Sequence, residues 1–111
     1  MRYLLSVYQP DGPVPEPDAL AAIGRALDTL NAAMRAAGVL VSADGLQPPS
    51  TASVVRPIEG GAVVTDGPYL PGDEHLGGFT VVDVADREAA LEWSRRLAIA
   101  TTLPIEVRPF A

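Results

Sequence analysis

Leu20, Ile23, Leu27, Leu30 and Met34 recur at spacings of three, four, three and four. Side chains so spaced share one face of an α-helix, so Asp18 to Ala37 predicts a helix of about five turns with one apolar side. Pro17 suits its first turn, where a missing N–H costs nothing, and Gly38 suits the left-handed residue that stops it. Arg25, Asp28, Asn31 and Arg35 are expected on the opposite, solvated side. A helix apolar on one side only must lie against another layer. The repeat is too short for a coiled-coil seam, so the expected cover is a sheet.

Strand signals flank that helix. Met1 to Tyr8 is aromatic and branched and ends at Gln9-Pro10-Asp11-Gly12-Pro13, which opens a proline-stiffened connection to Pro17. Val39 to Ser42 predicts a short strand, followed by an Asp44-Gly45 turn and a Leu46-Gln47-Pro48-Pro49 linker. Ser50 to Arg56 and Ala62 to Thr65 predict a hairpin around Glu59-Gly60-Gly61. Asp66 to Gly77 reads as a polar loop, and Phe79 to Val84 as the strongest strand. Asp86 is placed to cap a second helix, with Glu88 in its first turn and Arg95 and Arg96 in its last. Glu92 is spaced to pair with Arg96, and Ala89 or Ala90, Trp93 and Leu97 form the buried stripe. Pro104 to Arg108 closes as a strand, with Ile105 and Val107 toward the helices and Glu106 and Arg108 away.

The order predicts an α+β fold in one domain over residues 1–111. It is the ferredoxin-like split β-α-β arrangement with an extra hairpin, an antiparallel sheet carrying two helices on one face. A chain of 111 residues with two helices leaves the other face bare. A homodimer, with two sheets packed face to face, is the expected cover.

Composition narrows the chemistry. Without cysteine there is no disulfide, thiol nucleophile or cysteine-ligated metal. A single histidine, His75, rules out two-histidine zinc motifs, and the lack of lysine rules out Schiff-base catalysis and a lysine-bearing phosphate loop. The net charge of −6 opposes nucleic acid and anionic membranes as partners. No cofactor or metal is expected. The N-terminal apolar run stops at Pro10, too short for a signal-peptide core, and no stretch is long enough to span a membrane. The cytoplasm is the expected compartment.

Two polar segments remain as candidates for chemistry: Thr65-Asp66-Gly67-Pro68-Tyr69 and Glu74-His75-Leu76-Gly77-Gly78-Phe79. Asp66 sits where a strand ends, with its direction held by Gly67 and Pro68, as a catalytic base requires. If the loop folds back, His75 comes within reach of Asp66 and the two make an acid–base pair. Tyr69 can orient a small-molecule ligand, and Arg56 or Arg108 can hold an anionic one. Each has a plainer role: Asp-Gly-Pro is also a turn sequence, a loop histidine is often solvated, and Tyr69 can be a packed aromatic. Gly77-Gly78 admits a close strand neighbour or marks a bulge.

Val63 to Tyr69, Glu74 to Phe79 and Ile105 to Phe110 resemble the YCII-related family, specifically its DGPF subgroup. So do Met1 to Leu5, Ala36 to Leu40, Gly45 to Pro49 and Ala89 to Trp93. The resemblance implies a dimeric α+β barrel. It also implies kinship with small lyases and isomerases, in which an aspartate and a histidine form the acid–base pair. The motif aspartate maps onto Asp66, whereas His75 lies at a position that varies in the subgroup. The motif phenylalanine is Tyr69 here, and Leu70-Pro71-Gly72-Asp73 replaces the usual Ala-Glu-Thr-Lys. Two functions follow. One is a cofactor-free lyase or isomerase acting on a small cyclic or polar metabolite. The other is a non-catalytic dimeric module for a small ligand or a regulatory partner, linked through the family to alternative sigma factors.

Overall fold

The computed structural model, which describes residues 1–111, contains six strands and two helices, with four of the strands between the helices. Strand β1 (Arg2–Pro10) leads to helix α1 (Pro17–Ala36) and then β2 (Leu40–Gly45). A single 3₁₀ turn at Pro49–Thr51 precedes β3 (Ser53–Ile58) and β4 (Gly61–Asp66). Then come β5 (Glu74–Asp83), helix α2 (Arg87–Thr101) and β6 (Ile105–Pro109). Four strands make an antiparallel sheet in the order β2-β5-β1-β6, and β3 and β4 form a separate two-stranded ribbon.

Both helices lie on one face of the four-stranded sheet. Leu30 and Met34 of α1 and Ala90 and Leu97 of α2 pack with Tyr3, Leu5, Val82 and Val84 in one buried cluster. Ile105 and Val107 pack against it, while Glu106 and Arg108 point to the other face and pair with each other at 2.6 Å. Pro17 stands in the first turn of α1, and Gly38, at φ +72°, follows its end. Asp86 caps α2 by accepting the Ala89 N–H at 2.9 Å.

Several local expectations are corrected. Helix α2 continues to Thr101, so Arg95 and Arg96 fall before its last turn. Glu92 pairs with Arg95 at 2.8 Å, while the Arg96 guanidinium lies 4.6 Å from the centre of the Trp93 ring. Stacking there lets the arginine stem cover apolar surface while its charge stays in water. Asp44 and Gly45 belong to β2 rather than to a turn, because they pair with Phe79 and Gly78. Strand β5 begins at Glu74 rather than Phe79, because β1 continues opposite it to Pro10.

The sheet is open, and no barrel is closed within the chain. The face away from the helices carries Leu4, Phe79 and Val81 in neighbouring pairs. All residues of β4 are exposed, as are Val55 and Ile58 of β3. The radius of gyration is 16.1 Å. A compact domain of this length would have about 13 Å, and the projecting ribbon accounts for an excess of this kind.

Candidate functional site

The site begins with one extra residue. Val7 of β1 pairs with Gly78, but Tyr8 pairs with Leu76, so Gly77 bulges from β5. Side chains alternate along a strand, and an inserted residue reverses which ones face each side. Thr80 and Gly78 face the helices. Beyond the bulge it is His75, opposite Gln9, that takes the helix side, while Leu76 goes with Tyr8 to the other. Space is short at both glycines, against a movable side chain at Gly77 and against fixed backbone at Gly78. A Cβ on Gly77 would stand 2.5 Å from the Gln9 side chain, and one on Gly78 would stand 2.9 Å from the Asp44 carbonyl oxygen. The paired glycines serve both roles expected of them, a bulge and a close strand approach.

A cavity of 720 Å³ opens on this side, between the helices and the β1–β5 end of the sheet. It exists because α1 covers the sheet unevenly. Leu30 and Met34 are buried, whereas Leu20 is 47% exposed and Ile23 and Leu27 are half-buried along the cavity roof. Leu97 and Thr101 of α2 close the far wall, and the chain from Asp11 to Pro15 forms the rim. Thr102 ends α2 at the same wall with φ +62°, a left-handed conformation uncommon for a branched residue.

At the rim, His75 Nδ1 lies 2.8 Å from Asp11 Oδ1. The backbones of both residues are fixed. His75 is paired with Gln9 in the β1–β5 ladder, and the Asp11 N–H donates to the Asp73 carbonyl at 2.6 Å. The imidazole is 20% exposed and the carboxylate 53%. A carboxylate can only accept, so Nδ1 carries the hydrogen of this contact, and in the neutral form of the ring Nε2 carries the lone pair. That is the arrangement of a general base oriented by an acid.

The residues singled out in the sequence fall in three places. His75 lines the cavity, but its partner is Asp11 and not Asp66. Asp66 ends β4 on the exposed ribbon, opposite Ser53, and is absent from the cavity wall. Gly67, at φ +105°, turns the chain there, and its N–H donates to the Ala52 carbonyl at 2.7 Å. Arg56 donates to Thr65 Oγ1 at 2.8 Å and lies 5.6 Å from the centre of the exposed Tyr69 ring. Arg56 and Asp66 occupy opposite faces of the ribbon, because Arg56 pairs with Val63 and the side chains alternate. Arg108 is held by Glu106 on the sheet face away from the cavity.

Three cavity residues escaped the sequence reading. Asp11 was part of a proline-punctuated connection, and nothing in its spacing to His75 marks a pair. Thr80 lay inside an apolar strand. Asn31, expected in solvent, is half-buried and lines the cavity. It stands four residues after Leu27, on the shoulder of the apolar stripe, and that spacing was a usable signal.

Residues 1–110 match the family model of the YCII-related domain. An uncharacterized protein of Rhizobium meliloti (strain 1021) is 38% identical over 77 residues, which cover 68% of this chain. The matched region spans 62% of that relative's length.

Proposed function

This chain belongs to the YCII-related domain family, and from that premise we propose that it is a cofactor-free acid–base enzyme acting on a small molecule held in the cavity. The observation that carries the reading is the His75–Asp11 pair, 2.8 Å apart at the cavity rim. An imidazole is the side chain best suited to exchanging protons near neutral pH, and the carboxylate fixes which nitrogen does so. His75 is the base that removes a proton from carbon. In an isomerisation it returns that proton to another atom of the substrate. In an elimination the C–H electrons form the double bond as the leaving group departs with its own pair. In this reading Asp11 orients the ring, and the base is His75 rather than Asp66, the residue to which the family resemblance pointed. The strand order supports the ferredoxin-like reading of the fold, with the ribbon as its inserted hairpin. Asp66-Gly67-Pro68-Tyr69 supports a place in the DGPF subgroup.

Proton transfer can be tested before the substrate is known. The protein is incubated in D₂O with cyclohexanone, acetophenone and γ-butyrolactone, and deuterium entering next to the carbonyl is followed by NMR. The native protein should exceed buffer, and His75→Asn should lose roughly a hundredfold of the excess. Equal rates for the native protein and the variant would defeat the proposal.

A second reading is a non-catalytic dimeric module, favoured by the ribbon. Val55, Ile58, Val63 and Val64 are exposed on a hairpin that has no third strand. Isolated two-stranded hairpins are barely stable in water, and both ribbon edges are open to pairing. A second copy of this chain is the proposed cover.

A further inference from the structure

The cavity has a charge character that the proton-transfer reading does not use. None of the chain's arginines lines it. Asp11 is engaged by His75, and Asp44 pairs across the sheet with Phe79 on the face away from the helices, where it accepts its neighbour's Gly45 N–H at 3.1 Å. An anion entering this space would lose water and meet no arginine or lysine, and the one histidine there is already bonded to the Asp11 carboxylate, within a chain of net charge −6.

Thr80 is the most deeply buried polar group on the sheet-side floor, where Gln9 and His75 stand nearer the rim. It is 4% exposed, between Leu5 and Ala43 in the pairing. The other buried hydroxyls of the helix layer are satisfied within α2: Ser94 donates to Ala90 and Thr101 to Leu97. The Thr80 hydroxyl makes no side-chain hydrogen bond within the chain, and as no fully buried side-chain polar atom lacks a partner, its oxygen keeps open access on the cavity side. Thr80 lies against the cavity, between Phe79 and Val81 in an apolar strand, at a position where valine would fill the same volume.

From these observations we infer that the cavity takes an uncharged, mainly apolar small molecule whose single polar group bonds the Thr80 hydroxyl, and that it rejects carboxylates and phosphates. This rests on reading the cavity as a ligand site, and it is independent of whether His75 moves a proton. Leu20, Ile23 and Leu27 supply the apolar roof, and Thr80 fixes the ligand's orientation relative to His75.

Three probes with one ring system separate the possibilities: 2-naphthol, 2-naphthoate and 2-naphthylmethylammonium. Their binding is measured by calorimetry and by amide shifts in ¹⁵N spectra at pH 7. Naphthol should bind at least about tenfold more tightly than naphthoate, given the uncompensated desolvation of the anion. Its shifts should centre on Thr80 and Gly78. Thr80→Val, close in shape and able to fold, should weaken naphthol by roughly three- to tenfold, the worth of one hydrogen bond. Preference for naphthoate, preference for the ammonium probe, or an unchanged naphthol affinity in Thr80→Val would each overturn the inference. Naphthol selectivity without deuterium exchange would leave this inference standing and remove the catalytic reading. Exchange with naphthoate preferred would do the reverse.

Discussion

Asp11 and His75 are 64 residues apart in the chain, yet Asp11 Oδ1 lies 2.8 Å from His75 Nδ1. Asp11 follows the last residue of β1, and His75 is the second residue of β5. The contact is therefore made by the antiparallel pairing of the two strands at one end of the sheet. Without that pairing, neither residue has a functional neighbour.

Asp11→Asn keeps the size of the side chain and removes its charge. The ring is then no longer held in one tautomer, so deuterium exchange should fall by roughly a hundredfold. The melting temperature should change by no more than a few degrees, because a solvent-exposed ion pair contributes about 0–1 kcal/mol. An exchange rate equal to the native one would remove Asp11 from the site.

Gly77→Ala places a methyl group into the Gln9 side chain. Gln9 is exposed and its side chain can swing aside, so the cost should stay below about 1 kcal/mol, read as a small fall in the urea midpoint. Gln9→Ala added to it should restore most of the loss, since removing the crowded group opens the space. Failure of that rescue would mean that the glycine is needed for its backbone rather than for room.

Asp86→Ala removes the acceptor for the Ala89 N–H at the start of α2. The expected cost is about 1 kcal/mol. That corresponds to a fall in melting temperature of roughly 4–8 °C for a domain of this size, checked by circular dichroism.

A second copy covering the ribbon should give a particle of twice 11.6 kDa in light scattering. Val64→Asp puts a charge amid the exposed valines of the ribbon and should shift that particle to the monomer without unfolding the helix-covered sheet. A native protein that stays monomeric at micromolar concentration would end the dimer proposal.

Asp66→Asn separates the ribbon from the cavity. Asp66 is exposed and outside the cavity wall, so exchange and naphthol binding should both match the native protein. A large loss of exchange would return Asp66 to the catalytic role that the family resemblance implied.

Much of the fold was legible because its signals are local. The spacing of Leu20 to Met34 defined a helix face, Gly38 and Asp86 marked helix ends, and Ile105 and Val107 chose a side by simple alternation. The absence of cysteine and lysine excluded whole chemistries outright. The His75 side of the sheet was not legible, because the direction of a strand residue depends on register, and register belongs to two strands together. One bulge at Gly77 reverses the alternation and sends His75 toward the helices and Leu76 away. The histidine's partner, the uneven cover left by α1 and the unpaired Thr80 hydroxyl all follow from that packing, where segments distant in sequence meet and no spacing along the chain records their contact.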